Sequence, residues 1–288
     1  MSDSSMAPKG HGAPPARPRT IEEALHQASA ALLEGRFEPA ERLAAAVVRS
    51  APGNGTAVRL LAHALLLQGR YADAIPALQR ATRRNPDPEL EALLARAFNG
   101  VGREDEALTQ LQRAVTRRPP FPLAFLQLGE MLGERGRFTE ATAAFEAGLA
   151  AMPGEPSLRV GLAYLHLRRQ DHAGARAILE DLLAETPDRH DVHLALARTL
   201  ALEGDQAAAS DLYERALTIG PDDPLTRLAL AKSLLEQGRR AAGEAHLRAV
   251  VRAAPQLLGA AITTLSSAPH GRLFLNASTA AAFLTSRG

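Results

Sequence analysis

Seven prolines recur at a nearly constant interval, and this period constrains the fold of the chain more than any other feature. The successive steps between them are 34, 33, 34, 34, 34 and 34 residues. Self-similarity at such a period indicates tandem copies of one supersecondary element. The prolines are Pro52, Pro86, Pro119, Pro153, Pro187, Pro221 and Pro255.

A second series of residues repeats with the same spacing. Its glycines are Gly35, Gly69, Gly102, Gly136, Gly204 and Gly238. Gln170 occupies the remaining position, and both series lose one residue between Pro86 and Gly102, near the predicted start of a helix. Glycine commonly ends a helix in a left-handed conformation, and proline cannot continue one. Each copy is therefore predicted to be a helix, a glycine turn and a second helix that ends before the proline.

Placing the glycine at position 15 of each copy defines a frame of seven repeats between residues 21 and 257. Positions 8 and 20 hold only alanine or glycine in all seven, which predicts close contact between helix backbones there. The predicted repeats are 21–54, 55–87, 88–121, 122–155, 156–189, 190–223 and 224–257. The small residues are Ala28, Ala62, Ala95, Gly129, Ala163, Ala197 and Ala231 at position 8, and Ala40, Ala74, Ala107, Ala141, Ala175, Ala209 and Gly243 at position 20.

This pattern resembles the tetratricopeptide repeat family over about residues 21–257. The matching features are leucine at position 7, a small residue at 8, an aromatic at 17, alanine at 20 and proline at 32. The chain departs from it locally: Phe125 is the only large aromatic at position 4, and His166 occupies a normally apolar position 11. The resemblance implies an all-α fold, a right-handed superhelical α-solenoid of tandem hairpins in which stacking makes the core continuous.

The two ends of the chain differ from the repeats. Residues 1–20 are rich in Pro, Gly and Ser and are expected to form a disordered tail. Residues 258–288 are expected to cap the last repeat, beginning with a helix over 257–268. A second short helix, capped by Ser278, is expected to end near Leu284. The apolar residues of 269–288 are expected to fold back over the last hairpin. The alternative is that they form a docking tail for another protein. These residues are Leu273, Phe274, Leu275, Phe283 and Leu284.

Composition excludes several classes of function. The 33 basic and 32 acidic residues give a net charge of +1, which argues against a dedicated nucleic-acid binder. The chain has no cysteine, so disulfides, thiolate metal sites and a cysteine nucleophile are excluded. The N-terminus lacks an apolar signal core, and no run of about 18 uncharged apolar residues occurs, so a cytoplasmic protein without membrane insertion is expected.

The resemblance also implies where a partner would bind. First helices of such an array line its concave side, and positions 5 and 9 of each helix are expected to face a peptide there. This lining combines apolar residues with polar residues that are mostly basic. Such a surface suits an apolar peptide with some negative charge. The predicted partner-binding residues are Arg59, His63, Arg96, Leu126, Glu130, Val160, Tyr164, Leu194, Arg198, Leu228 and Lys232.

Few residues suggest catalysis. The segment from Asp188 to His193 places His190 and His193 three residues apart with Asp191 between them, but helix capping and solvation are favoured over a metal site. His166 is expected to be a hydrogen-bonded core histidine. No P-loop, dinucleotide motif or nucleophile triad is present, so neither enzymatic activity nor a cofactor or metal is expected.

The function that the sequence favours is a non-enzymatic scaffold or adaptor that binds a protein or peptide. The alternative is an accessory docking subunit of a bacterial envelope, polysaccharide-secretion or transferase system. RNA binding and self-assembly through the repeat ends are further hypotheses. A chaperone carboxylate clamp is not expected, because position 9 has no asparagine and position 5 is mostly apolar.

Overall fold

The structure, a computed structural model, describes residues 20–274 and 276–286, and these form an all-helical protein without strands. The all-α fold predicted from the period is confirmed. The first helices of the hairpins are α1 (Ile21–Leu33), α3 (Gly55–Leu67), α5 (Pro88–Gly100), α7 (Pro122–Glu134), α9 (Pro156–Arg168), α11 (His190–Glu203) and α13 (Pro224–Glu236). The second helices are α2 (Phe37–Ser50), α4 (Tyr71–Arg84), α6 (Glu104–Ala114), α8 (Phe138–Ala151), α10 (His172–Glu185), α12 (Gln206–Ile219) and α14 (Arg240–Ala253).

Two compact units divide the chain at Arg117 and Arg118. The N-terminal unit contains α1 to α6, and the C-terminal unit contains α7 to α14 followed by a terminal segment. Within each unit, the helices of one hairpin pack on each other and on the next hairpin, as expected of an α-solenoid. The predicted tail lies outside the described residues except for Thr20, whose hydroxyl oxygen accepts a hydrogen bond from the Glu23 amide and caps α1.

The turns between paired helices share one backbone geometry. All six glycines of the series have φ between 71° and 92°. Gln170 has φ of 62° and is the one residue other than glycine with a positive φ among those described. In each turn the following amide donates to a carbonyl five residues back, as from Arg36 to Ala31 at 2.8 Å and from Asp171 to His166 at 2.9 Å. Each first helix therefore ends in a Schellman turn, which satisfies its last carbonyls.

The spacing of the prolines matches the helix ends in all repeats but the third. Second helices contain 14 residues and end two residues before the proline, whereas α6 has 11 residues and ends at Ala114, well before Pro119. The missing residue of the period lies in the loop between Arg84 and Pro88, so that α5 starts two residues after Pro86 instead of three.

Small residues at positions 8 and 20 are buried in every repeat, because the two helices of a hairpin approach most closely there. In the C-terminal unit, Gly129 provides the extreme case. A Cβ on Gly129 would lie 2.4 Å from the ring of Phe145, a side chain that is itself fully buried. The aromatic ring on α8 therefore occupies the space that alanine fills in the other repeats.

The C-terminal segment folds back on the last hairpin. A short 3₁₀ turn, Pro255–Leu257, leads into α15 (Leu258–Ser267), and α16 (Ala277–Thr285) follows an extended stretch. Leu284 is buried, and Phe274 and Phe283 pack beside it with ring centroids 5.6 Å apart. Arg248 and Arg272 lie over the Phe283 ring at 4.4 and 4.6 Å, and Arg272 also pairs with the buried Glu244.

Two expectations for this segment are wrong. Leu273 is 91% exposed, because alternate residues of the extended stretch point to opposite sides and Arg272 and Phe274 face the protein. Asn276, rather than Ser278, caps α16 by accepting a hydrogen bond from the Thr279 amide at 2.9 Å. Leu275 lies outside the described residues.

Candidate functional site

A pocket of about 440 Å³ opens on the first-helix face of the C-terminal unit. Three consecutive first helices, α7, α9 and α11, supply nearly all of its lining, and Phe145 from α8 forms part of the floor. Three of the predicted partner-binding residues meet here: Glu130, Tyr164 and Arg198. The remaining lining residues are Gly129, Gly133, Glu134, Gly161, Leu165, Leu167, Arg168 and Leu202.

Glycines in the pocket lining let neighbouring side chains pack directly against the helix backbones. A Cβ on Gly161 would lie 2.6 Å from Phe145 and 2.7 Å from Leu126, and one on Gly133 would lie 2.8 Å from Leu165. Larger residues at these positions would displace the surrounding side chains. The mostly apolar lining is typical of ligand pockets, which bury apolar groups and orient them with a few polar ones.

Charged side chains of opposite sign stand at the rim of the pocket. Glu130 and Glu134 lie one turn apart on α7, while Arg168 and Arg198 lie on α9 and α11. Partial withdrawal from water raises the pKa of Glu130, and the like charge of Glu134 raises it further. The rim therefore presents negative charge on one side and positive charge on the other.

Tyr164 forms the aromatic part of the wall between these charges. Burial raises the pKa of its phenol, although the nearby charge of Arg198 has the opposite effect. The Arg198 guanidinium lies 5.9 Å from the centre of the Tyr164 ring, within the range of a cation–π contact. An aromatic or aliphatic ligand side chain entering the pocket would contact Tyr164 directly.

The other predicted residues of this unit do not line the pocket. Val160 is buried in the core of α9 to α13 and is only 8% exposed, so its predicted exposure on a binding surface is wrong. Leu126, Leu194 and Leu228 are half-buried, and Leu126 packs against α9 beside Gly161. Lys232 is exposed on α13, outside the pocket lining.

On the first-helix face of the N-terminal unit, Arg59 and His63 lie on α3, and Arg96 is exposed on α5. The Arg59 guanidinium Nη1 lies 3.0 Å from Glu89 Oε2 and 3.9 Å from Asp87, and His63 Nε2 lies 3.9 Å from Glu89 Oε1. Burial lowers the pKa of His63 below 6.5, opposed by Glu89 and assisted by Arg96 and Arg59.

Sequence reasoning missed Glu89, which neutralises part of this predicted basic row. Its signal was present, because Glu89 stands 30 residues after Arg59. That separation is one 33-residue repeat step less about one helical turn, so it brings the first turn of α5 beside the second turn of α3.

The histidine-containing segment at the start of α11 has a different structure from the one expected. Arg189 rather than an aspartate occupies the cap position, without a side-chain cap bond, and its guanidinium pairs with the Asp191 carboxylate. His193 is buried, and its Nδ1 lies 2.9 Å from the Arg189 carbonyl oxygen. Asp188 is solvent-exposed, as expected, and accepts a hydrogen bond from Arg215 at 3.0 Å.

His166 is hydrogen-bonded, as expected, but it is half-buried rather than in the core. Its Nδ1 lies 2.6 Å from Asp171 Oδ2. Asp171 in turn caps α10 by accepting a bond from the Gly174 amide, and this bond and the His166 contact hold the pKa of the Asp171 carboxyl below its usual value. The pair joins the end of α9 to the start of α10.

Within residues 20–274 and 276–286, no three His, Cys, Asp or Glu side chains are grouped so that they could hold a metal ion. None of the helices in that part of the chain has the length and apolar character needed to cross a membrane.

Comparison with solved structures gives the same architecture. A tetratricopeptide repeat protein from Parabacteroides merdae superposes with a TM-score of 0.64 at 17% identity, covering 85% of this chain and 98% of the other. The human IFIT1 dimer bound to m7Gppp-AAAA has a TM-score of 0.67 at 15% identity, covering 86% of this chain and 63% of the other. At such identities the likeness establishes the fold alone.

Sequence comparison identifies the family. Small glutamine-rich tetratricopeptide repeat-containing protein 2 of Mycosarcoma maydis is 34% identical over 94 residues, 32% of this chain and 27% of the relative, so the chain matches about a quarter of that protein. Tetratricopeptide repeat family models match residues 31–97, 92–156, 132–199, 190–233 and 224–249. Because these matches run without a gap from residue 31 to residue 249, and the helical hairpins follow the same period, the chain belongs to the tetratricopeptide repeat family.

Proposed function

We propose that this protein is a non-catalytic interaction scaffold that binds a segment of another polypeptide on the first-helix face of its C-terminal unit. The observation that carries the proposal is the pocket between α7, α9 and α11, which joins an apolar interior to a charged rim. Tetratricopeptide repeat proteins bind protein partners, and a pocket of this kind suits an apolar anchor residue flanked by polar groups.

The composition of the pocket favours a polypeptide over a nucleic acid. IFIT1, which has the same fold, was solved with a capped RNA. In this protein the rim has two glutamates and two arginines, so it offers no excess of positive charge to neutralise phosphates. The ligand predicted from sequence, an apolar peptide with acidic residues, is supported at the Arg168 and Arg198 side of the rim.

A paired-variant capture experiment tests this function. The full chain is immobilised as wild type, as Arg198→Glu/Leu202→Glu, and as the control Arg252→Glu/Leu273→Glu. The control makes the same two types of change at exposed positions outside the pocket. Partners retained by wild type are identified by mass spectrometry and purified, and their affinities are measured by calorimetry.

The pocket variant is expected to weaken binding of a direct partner at least about tenfold, because it inverts one charge and places a second in the apolar lining. The control variant is expected to bind like wild type. Equal partner affinities for the pocket and control variants, with unchanged circular dichroism, would overturn the proposed site.

A further inference from the structure

The four charged side chains at the rim of the pocket form no ion pair among the described residues. Glu130, Glu134, Arg168 and Arg198 make no ion pair or side-chain hydrogen bond with any residue that the structure describes. Elsewhere in the same unit, arginines and glutamates pair readily, as Arg159 does with Glu185 at 2.6 Å. The pocket thus combines an apolar interior with two unpaired charges of each sign.

These charges follow the order of the helices. The two carboxylates lie on α7, and the two guanidinium groups lie on α9 and α11, with Tyr164 of α9 between Glu130 and Arg198. Helices α7 and α9 pack together, as do α9 and α11. A ligand that crosses the three helices therefore meets negative charge, an apolar pocket and then positive charge.

The spacing of the helices sets the spacing of the ligand groups. Packed helices lie about 8–10 Å apart, and an extended chain advances about 3.3 Å per residue. Each step from one first helix to the next thus corresponds to roughly three ligand residues. The charge order and this spacing together define one pattern of side chains.

We infer that the pocket recognises a linear polypeptide segment in which a large apolar residue lies between a basic and an acidic residue, each about three positions away. The apolar side chain enters the pocket beside Tyr164, where Gly129, Gly133 and Gly161 also contribute to the lining. The basic group pairs with Glu130 and Glu134 of α7, and the acidic group pairs with Arg198 of α11. This inference rests on the proposed function and specifies its ligand.

Synthetic peptides make the inference directly measurable. Three capped peptides share a Ser/Gly background and a central Trp, and they differ only in the residues three positions before and after it: Arg and Glu, two Arg, or two Glu. The protein has no Trp, so the fluorescence of the peptide Trp reports its burial without background. The mixed peptide is expected to bind the full chain about tenfold more tightly than either like-charged peptide, with a preference that declines at high salt.

A charge-reversal variant distinguishes specific charge pairing from nonspecific binding of the peptide. In Glu130→Arg/Glu134→Arg both altered residues are exposed, so the fold is expected to persist. This variant should bind the peptide with two Glu most tightly, because its whole rim is then positive. The matched control Glu146→Arg, at an exposed site on α8, should keep the wild-type order.

Equal affinities for the three peptides, an unchanged order in the charge-reversal variant, or no binding of the mixed peptide would each overturn the inference. If all three peptides bind equally and Arg198→Glu/Leu202→Glu removes that binding, the pocket keeps its proposed function and only the charge pattern fails. If that variant leaves partner and peptide binding intact, the proposed function fails as well.

Discussion

The first-helix faces of the two units share one repeat frame but present different surfaces. In the C-terminal unit, Gly161 and Gly133 stand at positions 6 and 12 and line the pocket. At the same positions in the N-terminal unit, Leu93 and Leu66 are buried and fill the space between helices. The two units therefore differ in side-chain size at these positions, with glycine in the pocket lining of one unit and buried leucine in the other.

The first-helix faces of the two units also differ in whether their charged side chains are paired within the protein. Arg59 and His63 of the N-terminal unit share Glu89, so much of the positive charge there is neutralised within the protein. In the C-terminal unit, Glu130 and Arg198 remain without such partners among the described residues. The unpaired charges beside the pocket therefore distinguish the proposed binding surface from the first-helix face of the N-terminal unit.

The largest expected effect comes from Gly129→Ala. Alanine occupies position 8 in the other six repeats, and helix propensity alone predicts stabilisation of up to about 1 kcal/mol. The structure predicts the opposite, a loss of about 1–3 kcal/mol in the free energy of unfolding, because the new Cβ would lie against the Phe145 ring.

Urea unfolding measures this change, and the double variant Gly129→Ala/Phe145→Leu should recover part of the loss. Ala95→Gly is the matched control in the N-terminal unit, where a loss of about 1 kcal/mol is expected from helix propensity. A more stable Gly129→Ala protein would contradict the proposed packing of the pocket floor.

Arginine neutralisation in the two units provides the second prediction. Arg198→Gln should weaken binding of the mixed-charge Trp peptide about three- to tenfold, because it removes one of the two positive rim groups. Arg59→Gln should change the affinity less than twofold, since Arg59 already pairs with Glu89. Fluorescence titration of the two variants measures both effects, and a larger loss in Arg59→Gln would reverse the assignment of the binding face.

A pH dependence follows from the raised pKa of Glu130. The peptide's basic group requires the ionised carboxylate, so binding should be strongest above this pKa and weaken as pH falls through it, beginning above the ordinary value of 4.5. The expected change is a few-fold. In Glu130→Gln the peptide affinity should be lower at neutral pH and should change less with pH across this window. A pH profile of affinity identical to that of wild type would exclude Glu130 from the contact with the peptide's basic group.

The smallest expected effect comes from Glu89→Gln in the N-terminal unit. The carboxylate raises the pKa of His63, so its removal should lower that pKa further. The side chains of Arg59 and Glu89 are each one-third exposed, and the free energy of unfolding should therefore change by less than about 1 kcal/mol. Titration of the His63 ring by NMR measures the shift, and an upward shift would contradict the contact.

The hairpins could be predicted from sequence because their signals are local. The glycine at position 15 requires a left-handed turn, and the proline near position 32 ends the following helix. Alanine at positions 8 and 20 reports a contact inside one hairpin. The early end of α6 could not be read in this way, since its sequence continues with helix-compatible residues after Ala114.

The candidate site was only partly predictable. Helix period placed Glu130, Tyr164 and Arg198 on one face, and the structure brings these three together. The same period also assigned Val160 to the surface, although it is buried, because a periodic rule does not state how deeply the next repeat covers position 5. Glu134 and Arg168, one turn further along their helices, also line the pocket and were not predicted.

The sequence by itself determined the all-helical repeat architecture, since a 34-residue period of turn and breaker residues specifies each hairpin through interactions between near neighbours in the chain. Only the tertiary structure decided which faces are filled, which charges are neutralised and where a pocket remains. Those outcomes depend on side chains from different repeats, such as Phe145 against Gly161 and Glu89 against Arg59, whose sizes and distances are set by how the helices pack.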